Sequence, residues 1–128
     1  MKLLGELALR VMDLPAMTAF YSDVVGLEMF SDNSPDFVFL KIADLAEGHP
    51  QIMGLFDRST ELGQERSTLD HFAFVIDLDD LETEKQRLEK LDVRYVEREF
   101  PNFHWRSIFF TDPEDNTVEF VSYDPSVT

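Results

Sequence analysis

The chain repeats one residue pattern in its two halves, and this repeat limits the possible folds more than any other feature. Residues 4–11 align with residues 69–76 at a spacing of 65 positions, which places His71 over Glu6. In both segments bulky apolar residues alternate with small or polar ones, as in a strand with one buried face. The sequence therefore predicts two similar modules, about 1–64 and 65–128.

A helix signal follows the first strand of each half. In the first half Asp13 can cap a helix, and Gly26 can end it. In the second half Asp79 or Asp80 can cap a helix whose apolar stripe consists of three leucines between positions 81 and 91. Each half is therefore expected to continue from a strand into an amphipathic helix.

Three more strands are predicted in each half after the helix. In the first half they lie at 27–30, 37–41 and 51–56, and in the second at 92–95, 107–110 and 117–121. Turn residues at 47–50 and 112–116 separate the last two strands of each half. Each half thus follows a βαβββ order, and the fold class is α+β with two such modules in tandem.

The composition limits the chemistry of any metal site. The chain contains no cysteine, which excludes disulfides and thiolate ligands. A metal would have to be held by imidazole nitrogen and by oxygen, a ligand set that suits divalent Mn, Fe, Co, Ni or Zn.

The charge balance bears on partners and location. A net charge of −15 disfavours nucleic acid and anionic membranes as partners. The same charge suits a cationic ligand, or it serves only solubility. Because no apolar run approaches 18 residues and an acidic residue, Glu6, comes early, we expect no membrane span or signal peptide and a cytoplasmic location.

Three stretches of the chain carry a resemblance to a known superfamily. They are Leu9-Arg10-Val11 with Val25-Gly26-Leu27, then Leu69-Asp70-His71-Phe72, and finally Trp105-Arg106-Ser107 running through the Asp112-Pro113-Glu114-Asp115-Asn116 turn to Glu119-Phe120-Val121. Together they resemble the vicinal oxygen chelate superfamily, which includes glyoxalases, bleomycin resistance proteins and extradiol dioxygenases. The resemblance implies paired modules that form a cupped mixed sheet around a divalent metal ion, a small-molecule substrate and a homodimer.

The same resemblance implies where the metal ligands lie. Ligands of this family come from the first and last strands of each module. By position, Glu6, His71 and Glu119 occupy three of the four places. The fourth place falls among residues 52–54, where no side chain is an ordinary ligand.

Strand alternation gives an independent reason to single out Glu119. It lies in an otherwise apolar strand, and a buried carboxylate must be paired, metal-bound or protonated. One alternative to metal binding is a salt bridge from Glu119 or Glu6 to Arg10 or Arg106. Glu119 or Glu6 is also the candidate catalytic base. His71 taken alone is typical of a structural histidine, and only the matching carboxylates favour ligation.

Further residues are candidates for substrate binding. His104, with Phe103, Trp105 and Arg106, precedes a strand at the predicted pocket edge, and these residues can form an aromatic and cationic wall. The alternative is a loop anchored by an aromatic plug. Arg10, on the polar face of the first strand, joins this set, whereas His49 before a proline is interpreted as a turn residue.

Three functions of different classes follow from these residues and the resemblance. The first is a metal-dependent lyase- or isomerase-like enzyme that acts on a small oxygen-rich molecule. The second is an Fe(II) dioxygenase, for which Glu6 stands where a histidine is usual. The third is a metal-free binding protein of the bleomycin-resistance kind, which the negative charge and the missing fourth ligand favour.

Overall fold

The computed structural model describes residues 3–46, 48–58 and 69–128, except the side chain of Ala46. The chain divides into two compact units, residues 1–65 and 66–128, and each has a sheet of its own.

Unit one, residues 1–65, carries a four-stranded mixed sheet and one helix. Its elements are β1 (Glu6–Val11), α1 (Leu14–Ala19) with a π-helical turn (Phe20–Val24), β2 (Glu28–Asn33), β3 (Phe37–Ala46) and β4 (His49–Asp57). The strand order is β1-β4-β3-β2, with β1 and β4 parallel and the other neighbours antiparallel. The first and last strands of the module therefore lie side by side.

The helix of unit one begins and ends at the predicted residues. The Asp13 carboxylate accepts a hydrogen bond from the Ala16 amide at 3.0 Å, which satisfies one of the free donors of the first turn. Met17 and Tyr21 are fully buried on its apolar face. Gly26 has a φ of +89°, a left-handed conformation that glycine adopts without steric cost, and the chain turns there into β2.

Unit two, residues 66–128, repeats the same order. Its elements are β5 (His71–Val75), α2 (Leu81–Lys90), β6 (Val96–Phe100), β7 (Trp105–Thr111) and β8 (Thr117–Tyr123), with 3₁₀ turns at Leu78–Asp80 and Pro101–Phe103. The strand order is β5-β8-β7-β6, again with only the β5–β8 pair parallel. Two mixed sheets, each in a βαβββ module, confirm the predicted α+β tandem fold.

Some predicted boundaries were wrong. Strand β4 begins at His49, two residues before the predicted start, so His49 and Pro50 belong to a strand and not to a turn. The chain reverses at Gly48, whose φ is +81°; Glu47 lies outside the described residues. Strand β6 begins at Val96 because Asp92, with a φ of +57°, still belongs to the turn after the helix.

Helix α2 departs from its predicted cap and stripe. Asp80 stands at the N-cap position but makes no side-chain hydrogen bond to the helix, because a 3₁₀ turn leads directly into it. Leu81 and Leu88 are buried as predicted, whereas Leu91 lies beyond the last helical residue and is exposed. No helix in the described ranges is long and apolar enough to span a membrane.

Candidate functional site

His71 and Glu119 meet on one face of the unit two sheet. Strands β5 and β8 are parallel, with Ala73 paired to Glu119, so side chains 71 and 119 project to the same side. The His71 Nε2 and Glu119 Oε2 atoms are 3.3 Å apart. The Glu119 side chain is 8% exposed and that of His71 is 40% exposed, so a buried carboxylate lies beside an accessible imidazole.

Asp70 fixes the other side of the His71 ring. The His71 Nδ1–H donates to the Asp70 carboxylate at 2.6 Å, which leaves Nε2 directed at Glu119. The pKa of His71 is raised above its ordinary value chiefly by this hydrogen bond, with the charge of Glu119 adding to it and partial desolvation opposing it. Two carboxylates therefore hold one imidazole.

The pair has the spacing of two ligands on one ion. Nitrogen and oxygen ligands lie about 2.1 Å from a divalent ion such as Zn²⁺, so adjacent ligands are about 3.0 to 3.4 Å apart. The 3.3 Å between Nε2 and Oε2 falls in that interval. Asp70 supplies the carboxylate that commonly orients a metal-binding histidine. His71 and Glu119 therefore fit a divalent ion, although no cluster of three or more such ligand side chains occurs within the described ranges.

The strand register of unit one narrows residues 52–54 to Gly54 as the position that corresponds to Glu119. In unit one Ala8 pairs with Gly54, and in unit two Ala73 pairs with Glu119. Gly54 is therefore the counterpart of Glu119, just as Glu6 is the counterpart of His71. Because Gly54 has no side chain, this module offers one potential ligand where the other offers two.

The space above Gly54 is already filled. A Cβ atom at Gly54 would lie 2.9 Å from the Glu6 Oε2 atom, 2.8 Å from Phe56 and 3.3 Å from Phe39. Phe56 also stacks on Phe37, with ring centroids 5.2 Å apart. The Glu6 carboxylate thus lies over the Gly54 backbone and beside aromatic rings of its own sheet.

Arg106 lies on the sheet face opposite to His71 and Glu119. Its guanidinium pairs with Glu99 at 2.9 Å and Asp124 at 3.1 Å. Arg106 and Phe109 are three residues apart on β7, so their side chains project to opposite faces. Phe109 is paired directly with Glu119 and lies on its face. Arg106 therefore belongs to an ion cluster of unit two. Glu119 contacts His71, and not the Arg106 guanidinium that the salt-bridge alternative assigned to it.

The other proposed substrate-binding residues occupy different settings. Arg10 shares the face of Glu6 on β1 and donates from Nη2 to the Arg58 carbonyl at 3.1 Å. His104 has a left-handed φ of +57°, and its Nδ1–H donates to the Val127 carbonyl at 2.7 Å. Trp105 lies on the Glu119 face of β7 and is 41% exposed.

Sequence reasoning missed two aromatic residues next to this pair. The Phe109 ring meets His71 edge to face, with centroids 6.0 Å apart, and Phe100 meets Phe109 at 6.3 Å. The period-two spacing of Trp105 and Phe109 on one strand was the available signal.

Unit one also contains an open groove of about 520 Å³ between β2, β3 and the start of β4. Its lining includes Met29, Phe30 and Lys41. Lys41 is paired with Glu28 and Asp44, each at 3.4 Å. We take the His71–Glu119 pair as the centre of the site, because it joins a buried carboxylate to an accessible imidazole whereas the groove offers a neutralised cation.

Comparison with known proteins agrees with this architecture. The family model of the Glyoxalase/Bleomycin resistance protein/Dioxygenase superfamily matches residues 3–120, and the chain belongs to this superfamily. No curated protein matches the chain.

Solved structures of this superfamily resemble the chain over nearly its whole length. A lactoylglutathione lyase from Agrobacterium tumefaciens is 30% identical with a TM-score of 0.72, covering 91% of this chain and 90% of its own. The fosfomycin resistance protein FosX from Listeria monocytogenes is 25% identical with a TM-score of 0.73, covering 98% and 96%. A superfamily domain from Frankia sp. EAN1pec is 20% identical with a TM-score of 0.76, covering 98% and 95%, which shows the shared fold.

Proposed function

We propose that this chain is a divalent-metal-dependent enzyme with lyase- or isomerase-like chemistry on a small oxygen-rich molecule. The observation that carries the proposal is the 3.3 Å contact between His71 Nε2 and Glu119 Oε2, with Asp70 holding Nδ1. An imidazole and a carboxylate at ligand spacing, with an orienting carboxylate behind the imidazole, suit Mn, Fe, Co, Ni or Zn.

The neighbours support the metal and the substrate class. A point variant of FosX, 26% identical to this chain with a TM-score of 0.68, was solved with Mn(II) and 1S,2S-dihydroxypropylphosphonic acid. That molecule is small and carries two neighbouring oxygens. We propose a substrate of the same general class for this chain, without assigning it either neighbour's reaction.

The proposal assigns a role to each of three side chains. His71 and Glu119 bind the ion, and Glu6, the counterpart of His71 in unit one, is the third ligand or the base that moves a substrate proton. Bound there, the ion supplies Lewis-acid polarisation of a substrate oxygen. The partial exposure of His71 leaves a route for a small molecule to reach it.

Calorimetric titration of chelator-treated protein with Mn²⁺ tests the proposal. We expect binding to wild type and a loss of about 100-fold or more in affinity for His71→Ala and Glu119→Gln, because each removes a direct ligand and even an orienting residue is worth about 10- to 100-fold. His49→Ala and Glu28→Gln are matched controls from unit one and should bind as wild type does. Equal affinity for all five proteins would overturn the proposal.

One observation favours a second candidate, a metal-free binding protein of the bleomycin-resistance kind. The raised pKa of His71 allows an imidazolium that satisfies Asp70 and Glu119 without an ion, and Gly54 leaves the fourth place empty of ligand. A cationic glycopeptide such as bleomycin should then bind equally well with and without chelator. Chelator-sensitive binding would reject this candidate.

We further propose that the protein forms a homodimer. Among the described residues, each sheet has two edge strands with one unpaired side, β1 and β2 in unit one and β5 and β6 in unit two. Such edges favour association. Sedimentation at micromolar concentration should give twice the chain mass, and a monomeric mass would contradict the dimer.

A further inference from the structure

A continuous row of aromatic rings leads away from His71 on the face that carries Glu119. The row passes from Phe109 to Phe100, then to Trp105 and Phe103. Successive centroids are 6.0 Å apart from His71 to Phe109, 6.3 Å to Phe100, 6.5 Å to Trp105 and 4.8 Å to Phe103. The last pair is stacked with an interplanar angle of 25°.

This row is not the hydrophobic core of unit two. The core of the opposite face has its own aromatic cluster, in which Phe120 contacts Phe74 and Phe110 at centroid distances of 6.2 Å and 5.0 Å. Phe110 and Phe120 are buried, whereas Trp105 is 41% and Phe103 is 58% exposed. Two stacked and exposed rings that end a row from the site indicate a surface for a ligand.

The backbone holds the exposed end of the row in place. The 3₁₀ turn Pro101–Phe103 ends at His104 in a left-handed conformation. The His104 carbonyl accepts from the Asp124 amide at 2.7 Å, and its ring donates to the Val127 carbonyl. Hydrogen bonds to Asp124 and Val127 therefore fix the residue between the stacked rings, and the surface they form is largely in place before a ligand arrives.

The row also has a defined length. Glu119 is paired with Phe109, and Trp105 lies four residues from Phe109 on the same strand, so Trp105 is about 13 Å along the sheet from Glu119 at 3.3 Å per residue. We propose that the substrate of this site is elongated, with two neighbouring oxygens held at His71 and Glu119 and an aromatic or other planar ring about 13 Å away on Trp105 and Phe103. The oxygen end of this inference rests on the proposed function; the ring end rests on the aromatic row.

Three probes separate the contributions of the two ends. Catechol carries only the oxygens, 4-(5-phenylpentyl)catechol adds a distant aromatic ring, and 4-(5-cyclohexylpentyl)catechol adds a ring of similar size that cannot stack. Anaerobic calorimetry with and without Mn²⁺ gives the affinities. Trp105 is the only tryptophan of the chain, so its fluorescence reports where the ring lies.

We expect the phenyl probe to bind wild type about 2- to 10-fold more tightly than the cyclohexyl probe, because aromatic pairing adds about this much beyond area burial. It should also change Trp105 fluorescence, whereas catechol should not. Phe103→Ala and Trp105→Leu should bring the phenyl-to-cyclohexyl ratio towards one. Phe30→Ala, which removes an exposed phenylalanine of unit one, should leave the ratio unchanged.

The outcomes distinguish the two proposals. A ratio of one in wild type, or a ratio that neither variant changes, overturns the ring inference even if catechol binding needs Mn²⁺. A ratio above one that both variants abolish supports the inference even if Mn²⁺ has no effect, in which case the proposed metal-dependent function fails alone.

Discussion

Within each unit, the first and last strands pair at corresponding backbone positions, but the side chains at those positions differ between the units. Ala8 pairs with Gly54 in unit one, and Ala73 pairs with Glu119 in unit two. The parallel pairing of the first strand with the last therefore forms whether or not these positions carry a potential metal-binding side chain. The candidate ligand pair lies in unit two, where Glu119 supplies the carboxylate that its counterpart Gly54 lacks.

In unit one, neighbouring side chains fill the space that a side chain at Gly54 would occupy. The Glu6 carboxylate and the Phe56 ring approach the Gly54 backbone more closely than a Cβ atom would allow, and the Phe39 ring would be in tight contact with it. In unit two the corresponding neighbour of Glu119 is Phe109, which contacts His71. The same pair of strands thus supports a packed aromatic cluster in one unit and an imidazole–carboxylate pair in the other.

After the two proposed ligands themselves, the largest effect is expected at Asp70, which has no acidic counterpart in unit one, where Gly5 stands 65 positions earlier. Asp70→Asn weakens the hydrogen bond that orients His71, so Mn²⁺ affinity should fall about 10- to 100-fold. Isothermal titration measures it, and Asp77→Asn, an acidic residue outside this contact, is the control. If Asp70→Asn binds Mn²⁺ like wild type, the orienting role is wrong.

Gly54 tests how tightly unit one is packed. Gly54→Ala adds a Cβ atom 2.8 Å from Phe56 and 2.9 Å from Glu6, so these side chains must shift. We expect a loss of about 1 to 2 kcal/mol in the free energy of unfolding, within the usual range for overpacking. Chemical denaturation measures this loss.

Gly5→Ala is the matched control, because the three atoms nearest to its Cβ atom would be those of the His49 ring, at 3.3 Å or more. It should lose clearly less stability than Gly54→Ala. If the two variants lose the same stability, the close approach at Gly54 is not the cause.

Part of this arrangement was predictable from the sequence. Alternation is a local signal, and it correctly predicted the strands that carry His71 and Glu119. The fourth ligand place stayed open among residues 52–54 because it depends on the pairing of β1 with β4, two segments far apart in the chain. Local patterns do not report such a register.

The proposed substrate wall shows a second limit. Trp105 and Arg106 are consecutive on a strand, and consecutive strand residues project to opposite faces. The structure accordingly places Trp105 on the Glu119 face and Arg106 in an ion cluster on the other. The sequence grouped residues 103–106 as one wall that precedes a strand, whereas β7 in fact begins at Trp105 and separates them.

A smaller effect is expected at two buried serines of unit two. The Ser122 hydroxyl donates to the Arg106 carbonyl at 2.8 Å, whereas the Ser107 hydroxyl has no hydrogen-bond partner among the described residues. Ser122→Ala should cost about 1 kcal/mol in unfolding free energy, the usual net value of such a bond.

Ser107→Ala is the matched comparison on the same sheet. It removes a buried hydroxyl without a partner, so stability should be unchanged or slightly higher. Urea denaturation of both variants measures the difference. A loss at Ser107 equal to that at Ser122 would show that the Ser107 hydroxyl is satisfied in solution.

The smallest effect is a pH dependence at the end of β8, where Asp124 joins the Arg106 ion cluster. The pKa of Asp124 lies below its ordinary 3.8, chiefly because the Ser126 hydroxyl donates to it, with the Ser126 amide and Arg106 adding to the effect. A carboxyl whose pKa is lower in the folded state favours folding when ionised. Its contribution is therefore complete above the unfolded-state pKa and is lost as the pH falls through the lower, folded-state pKa.

Asp124→Asn removes this titration, so the variant should be less stable than wild type at pH 6. The difference between their urea midpoints should then shrink as the pH is lowered below 3.8. Asp92→Asn, in the exposed turn after α2, corrects for general acid effects. If the difference between Asp124→Asn and wild type stays constant down to pH 2, the folded-state pKa of Asp124 is not lowered, and the ion cluster does not depend on its charge.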